Sequence, residues 1–156
     1  MEPMHKISKV KIRSLQLDDY AQLSQSFTRT YSDGSDVFWS REQIEKLITI
    51  FPEGQIVVVV DNKIVGCALS IIVDYDMVKN DHTYASVTGQ ETFNTHNPEG
   101  NILYGIEVFI HPEFRGLRLA RRMYDYRKEL CETLNLKAIM FSGRIPNYHK
   151  YAQDLR

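Results

Sequence analysis

Apolar positions along the first half of this chain alternate, then fall at helical spacing, then run unbroken, and each pattern predicts its own kind of element. Residues 10–17 alternate between apolar and polar and predict a first strand. Asp18 is a candidate N-cap for a helix running to about residue 29, with Tyr20, Leu23 and Phe27 along one face. The polar stretch Ser32-Asp33-Gly34-Ser35-Asp36 predicts a turn. Ser40 and Gln43 have capping-box spacing, and Trp39 and Ile44 flank them as a hydrophobic staple, so a second helix is predicted over 41–50. Phe51-Pro52-Glu53-Gly54 ends it. Residues 55–60 and 63–73 are β-branched runs around Asp61-Asn62, which reads as a hairpin. Both runs are apolar on both faces, which predicts a sheet covered on each side.

Residues 74–101 form a long polar segment rich in Thr, Asn, Asp and His, and loops of that length are often functional. Residues 102–110 return to an unbroken apolar run and predict a central strand. A helix is predicted over 117–134, with the stripe Leu119, Met123, Tyr126, Leu130 and Leu134 facing the core. A short buried strand is predicted over 137–142. Gly143-Arg144-Ile145-Pro146 then turns the chain into a last helix, with Pro146 at its start. This order gives an α/β domain with a mixed sheet flanked by helices.

Two features in this pattern carry chemistry. Arg115, Arg118, Arg121 and Arg122 crowd a turn and the beginning of the helix that follows it. A helix N-terminus is electropositive and holds unpaired N–H groups, so it favours acids over cations. Arginines there make sense if an anion such as a phosphate shares the site with them. The bland alternative is a solvated basic face, with Arg121 pairing Asp125 one turn on. The second feature is Glu107, the one charge within 102–110. A carboxylate in such a strand must be paired, hydrogen-bonded or functional. Burial would raise its pKa and suit it to deprotonating an amine, directly or through water. The structural alternative is a carboxylate satisfied by an arginine or by backbone N–H groups.

Composition narrows the setting. At 156 residues the chain reads as one domain, able to bury on the order of 70% of its unfolded surface. Nineteen basic residues balance twenty acidic ones, which argues against a nucleic-acid partner and makes the arginine cluster local. Cys67 and Cys131 lie in apolar patterns, so neither a disulfide nor a metal site is expected. His96, His82, Asp74, Asp76 and Asp81 show no ligand spacing and read as solvated loop residues. No signal peptide and no membrane-spanning run is apparent, and a cytoplasmic setting is expected.

The residues Ile110-His111-Pro112-Glu113-Phe114-Arg115-Gly116-Leu117-Arg118-Leu119-Ala120 resemble the acetyl-CoA signature of the GNAT acyltransferases, Gln/Arg-x-x-Gly-x-Gly/Ala. Arg115 fills the first position and Ala120 the last, while Arg118 stands where the middle glycine is usual. The resemblance extends from about residue 8 to the end. Residues 104–112 and 143–151 are similar to a subgroup in which this domain precedes a carbon–nitrogen (nitrilase-like) hydrolase domain.

The resemblance implies a GNAT-like sheet lacking its last strands, hence a single truncated domain over 1–156. It implies acetyl-CoA as cofactor, with its pantetheine arm along Val108, Phe109 and Ile110. The pyrophosphate would lie on the turn formed by Arg115, Gly116, Leu117, Arg118, Leu119, Ala120 and Arg121. Glu107 would be the general base. Tyr151, seven residues after Arg144, would be the general acid, with Tyr148 as its competitor. The acceptor would be an amine on a small molecule or peptide. A non-catalytic acyl-CoA-binding module regulating a fused hydrolase is the alternative. An unfinished sheet would also leave an edge able to pair with a second copy.

Overall fold

The computed structural model describes residues 9–30, 38–78 and 92–141. Strand β1 (Val10–Ser14) leads through a 3-10 turn (Leu17–Asp19) into helix α1 (Tyr20–Thr30), and helix α2 (Arg41–Ile50) follows. Strands β2 (Ile56–Val60) and β3 (Lys63–Val73) form the expected hairpin, and a short helix α3 (Tyr75–Val78) opens the long polar segment. Strand β4 (Ile102–Ile110), a 3-10 turn (Pro112–Leu117), helix α4 (Leu119–Thr133) and strand β5 (Ala138–Phe141) complete the described elements. The sheet order is β1-β2-β3-β4-β5. The pairs are antiparallel except β4 with β5, which is parallel, so the sheet is mixed.

The local signals for α2 and the hairpin act as read. Ser40 Oγ accepts from the Gln43 N–H, and Gln43 Oε1 accepts from the Ser40 N–H at 2.9 Å. Such a cap contributes about 1 kcal/mol. Asp61 and Asn62 both have positive φ, as a two-residue hairpin turn requires.

The first strand is shorter than the alternation suggests, and Asp18 is not the cap. β1 stops at Ser14, and Gln16 caps the 3-10 turn while the Asp19 carboxylate accepts from the Gln16 N–H at 2.8 Å. Asp19 also binds the Arg13 guanidinium through both oxygens, at 2.8 and 3.0 Å. That pairing holds the Asp19 carboxyl below the usual carboxylate range. Asp19 wins because it serves two donors at once, which Asp18 does not.

The sheet is covered on both faces. Leu23 and Phe27 of α1 and Ile44 and Leu47 of α2 pack on one face, with Val57, Cys67, Leu69, Ile71 and Tyr104. Leu119 and Met123 of α4 pack on the other, with Val58, Ala68, Val108 and Ile110. Each fully buried large apolar side chain contributes about 2 kcal/mol over its exposed state.

The stripe predicted for α4 needs correction. Its buried positions are Leu119, Met123, Arg127 and Cys131, a line of four-residue steps. Tyr126, Leu130 and Leu134 only flank it, partly buried. Arg127 joins the core because its guanidinium donates to Ser70 Oγ at 3.1 Å from within the sheet's face. Burial lowers its pKa to about 10, which leaves it charged at neutral pH.

The polar segment also differs from a plain loop. Phe93, with positive φ, is buried against Trp39, and the Asn97 N–H donates to the Ile72 carbonyl at 2.7 Å. The predicted turn at 32–36, the turn at 143–146 and the last helix lie outside the described residues.

Candidate active site

The centre of the candidate site is an irregularity in β4. β3 pairs with β4 in register from Gly66↔Ile110 to Leu69↔Glu107, and pairing resumes at Ser70↔Gly105. Ile106 is therefore an extra residue, a β-bulge. Ile102, Tyr104 and Ile106 face α1 and α2, and strict alternation would send Glu107 to the α4 face. The bulge reverses that parity. Phe109 lies with the α1 and α2 core, Val108 and Ile110 lie with α4, and Glu107 meets Trp39 from the α1–α2 connection.

Glu107 is 1% exposed, and its Oε1 accepts a hydrogen bond from Trp39 Nε1 at 3.0 Å. The need for a partner was legible in the sequence, whereas its identity as an indole was not. Trp39 is itself held closely: the Tyr20 hydroxyl donates to its carbonyl at 2.7 Å, and the Phe93 ring lies 5.3 Å away. Cys67 sits nearby on β3, and burial, with Glu107 adding to it, pushes its thiol well up. Both cysteines are free and buried.

Among the described residues, the parallel ladder between β4 and β5 covers only the first part of β4. The ladder with β5 runs from Ile102↔Ala138 to Gly105↔Phe141, and β4 continues through Glu107, Val108 and Phe109 to Ile110. Val108, Phe109 and Ile110 are buried, so their side chains are committed to packing. The 3-10 turn carrying Arg115, Gly116 and Leu117 comes next.

Arg118 then adopts φ 59° and ψ 33°, the left-handed conformation, and is the N-cap residue of α4. This explains why the signature prefers glycine there, because a Cβ makes that conformation costly. Among the described residues no side chain caps α4, and no acidic residue lies in its first turn. Arg118, Arg121 and Arg122 are exposed, Ala120 is half-buried and Leu119 is in the core. Arg121 does reach Asp125, at 3.3 Å, as the bland reading of the arginines expects. Both partners are exposed, so the pair contributes about 0.5 kcal/mol or less.

The model of the acetyltransferase (GNAT) family matches residues 20–155. The chain belongs to the GNAT family. This GNAT domain is 40% identical over 117 residues to the probable hydrolase YhcX of Bacillus subtilis strain 168, covering 75% of this chain and 23% of that protein. It is 31% identical over 120 residues to the uncharacterized N-acetyltransferase YkwB of the same organism, covering 77% of this chain and 53% of that protein. The chain thus spans about a quarter and about half of these relatives' lengths. A solved GNAT-like decarboxylase, GphF, in complex with isobutyryl-CoA, superposes with a TM-score of 0.68 at 17% identity, covering 94% of this chain and 72% of that one. The mixed sheet flanked by helices is the GNAT architecture, and acetyl-CoA is the cofactor of that family. No helix among the described residues is long and apolar enough to cross a membrane.

Tyr148 and Tyr151 lie outside the described residues. Sequence reasoning missed Trp39, Phe93 and Arg127 as parts of one buried arrangement around β4. Trp39 was visible only as a helix staple, and Arg127 had no signal beyond four-residue spacing from Met123 and Cys131.

Proposed function

We propose that this domain transfers the acetyl group of acetyl-CoA to an amine on a small molecule or a peptide. The observation that carries the reading is the bulge at Ile106, which turns a buried carboxylate, Glu107, to one side of the strand that the family uses for its cofactor.

The start of α4 suits the pyrophosphate, because no side chain among the described residues caps it, its first turn lacks acids and exposed arginines flank it. Leu117, Arg118, Leu119 and Ala120 would hold it through backbone N–H groups, with Arg115, Arg118, Arg121 and Arg122 neutralising charge. Gly116 keeps the turn free of a side chain. Backbone groups of Val108, Phe109 and Ile110 would line the pantetheine arm. Acetyl-CoA supplies a thioester, an acyl group already activated for attack. Glu107 would take the proton lost by the amine nitrogen as the C–N bond forms. Tyr151, or Tyr148 in its place, would give a proton to the sulfur as the C–S bond breaks. Holding both reactants together contributes much of the rate.

Similarity to a probable hydrolase more than four times as long as the matched stretch supports a further element of the reading. This would be a domain that works beside a hydrolase, of the carbon–nitrogen kind implied by the resemblance of residues 104–112 and 143–151. The full burial of Glu107 favours a second reading, an acyl-CoA-binding module without turnover.

Calorimetric titration with acetyl-CoA, on the parent chain and on Arg115→Ala/Arg118→Ala, tests the cofactor turn. Binding that the double variant loses supports it. Amine screens with Glu107→Gln and Tyr151→Phe then separate the two readings. An enzyme should lose about 10²–10⁴-fold in rate with Glu107→Gln. Binding without acetyl transfer to any amine would leave the module reading standing.

A further inference from the structure

Two local devices, far apart in the chain, aim at one hydrogen bond. The capping box at Ser40 fixes the start of α2 and with it Trp39, the residue just before the cap. The bulge at Ile106 turns Glu107 to the same side of the sheet. Either device alone would leave the other group without this contact, since an unbulged β4 would face Glu107 to α4. Trp39 and Glu107 meet across 68 residues, and both are buried. The indole has little freedom, being packed on Phe93, tied through its carbonyl to Tyr20 and grouped with Ile44 in one core cluster.

We propose that Trp39 is the positioning residue of the active site: its indole N–H holds the Glu107 carboxylate in one orientation and favours its ionised form. This rests on the reading of Glu107 as general base. A donor to a buried carboxylate stabilises the charge and therefore lowers the pH at which the group becomes a competent base. Without it, the desolvated carboxylate would stay protonated further into the working range. Among the described residues, the Cys67 thiol on β3 feels both Glu107 and, acting across the sheet, Arg127 on α4. The Cys67 thiol is pushed well up and stays neutral in the acidic range. Arg127 remains charged there. On this proposal the acidic limb of the rate profile belongs to Glu107, and Glu107→Gln tests that assignment.

Trp39 is the only tryptophan in the chain, so its emission reports this contact directly. The experiment follows Trp39 fluorescence against pH in the parent chain and in Glu107→Gln, with pH–kcat/KM profiles of the parent and Trp39→Phe alongside. We expect an emission change on acidification in the parent that Glu107→Gln lacks, with its midpoint on the acidic limb of kcat/KM. Trp39→Phe keeps an aromatic ring in the staple but removes the donor. Its acidic limb should move up by about one to two pH units, with acetyl-CoA affinity within about twofold of the parent. Emission that ignores pH, or that titrates equally in Glu107→Gln, overturns the proposal, as does an unmoved limb in Trp39→Phe. If Trp39→Phe fails to fold, the two fluorescence titrations still decide. If Glu107→Gln keeps full activity while the emission change disappears, the base reading fails and the Trp39–Glu107 contact stands as structural.

Discussion

Gln55 takes the place of a strand residue opposite Ser70. Its Oε1 accepts from the Ser70 N–H at 2.9 Å, and its Nε2 donates to the Ser70 carbonyl at 2.8 Å and to the Phe51 carbonyl at 2.9 Å. Paired backbone between β2 and β3 ends at Ile56↔Ala68, and the side-chain amide continues the ladder by one rung. Ser70 also receives Arg127 on its hydroxyl, so one residue of β3 ties together α4, the start of β2 and the strand beside Glu107.

Gln55→Leu keeps the volume but leaves the Ser70 N–H, the Ser70 carbonyl and the Phe51 carbonyl without this partner. All three contacts are buried, so the variant should lose about 2–4 kcal/mol in urea unfolding. A loss below about 0.5 kcal/mol would show that the amide rung is dispensable.

Arg118→Gly should stabilise the fold while weakening cofactor binding. Left-handed backbone costs a residue with a Cβ about 1–2 kcal/mol, and the greater freedom of glycine in the unfolded chain returns about 0.4–1 kcal/mol of that. A net gain of about 0.5–1 kcal/mol is expected in thermal melts. Calorimetry on the same variant reads the lost cation separately. A lower melting temperature would mean that the Arg118 side chain makes a stabilising contact outweighing the backbone cost.

His96 should make stability fall on acidification. Its Nδ1 accepts from the Ile72 N–H at 3.0 Å, and its ring stacks on Phe51 with centroids 5.1 Å apart. Burial lowers its pKa, with Glu53 opposing in part. The unfolded chain, with a histidine near pH 6.5, then binds the proton more readily than the folded one. The contribution is therefore whole above about pH 6.5 and lost as pH falls from there through the folded value. Urea midpoints at neutral and acidic pH should diverge less in His96→Gln than in the parent. Equal divergence would remove His96 from the account.

Gly66 should tolerate no side chain. A Cβ there would lie 2.4 Å from the Phe109 carbonyl oxygen, and its other near neighbours belong to Ile110. Those are strand residues proposed to line the cofactor, and backbone cannot step aside as a flexible side chain would. Gly66→Ala should cost about 2 kcal/mol or more in stability and weaken acetyl-CoA binding. An alanine variant with parental stability and affinity would show that β3 and β4 can separate at this point without consequence.

Local chemistry made much of the fold legible. Ser40 and Gln43 mark α2 because the capping box is complete within four residues. Asp61-Asn62 marks the hairpin because both residues accept positive φ. Asp18 misled because its neighbour Asp19 gains a second partner in Arg13, a contact six residues away that spacing alone does not rank.

By itself the sequence determined the order and kind of the five described strands and of α1, α2 and α4, the covered sheet, the arginine turn before α4 and the presence of one unexplained charge in β4. All of these depend on period, on composition or on residues within a turn of each other. Tertiary structure alone decided which way Glu107 faces, because a bulge exists only in the pairing of β4 with β3. It decided that Trp39 is the partner of Glu107, that Phe93 backs the indole and that Arg127 enters the core. Each of these is a contact between segments distant in the chain. Such contacts are set by how whole faces pack against one another, which no local window of residues contains.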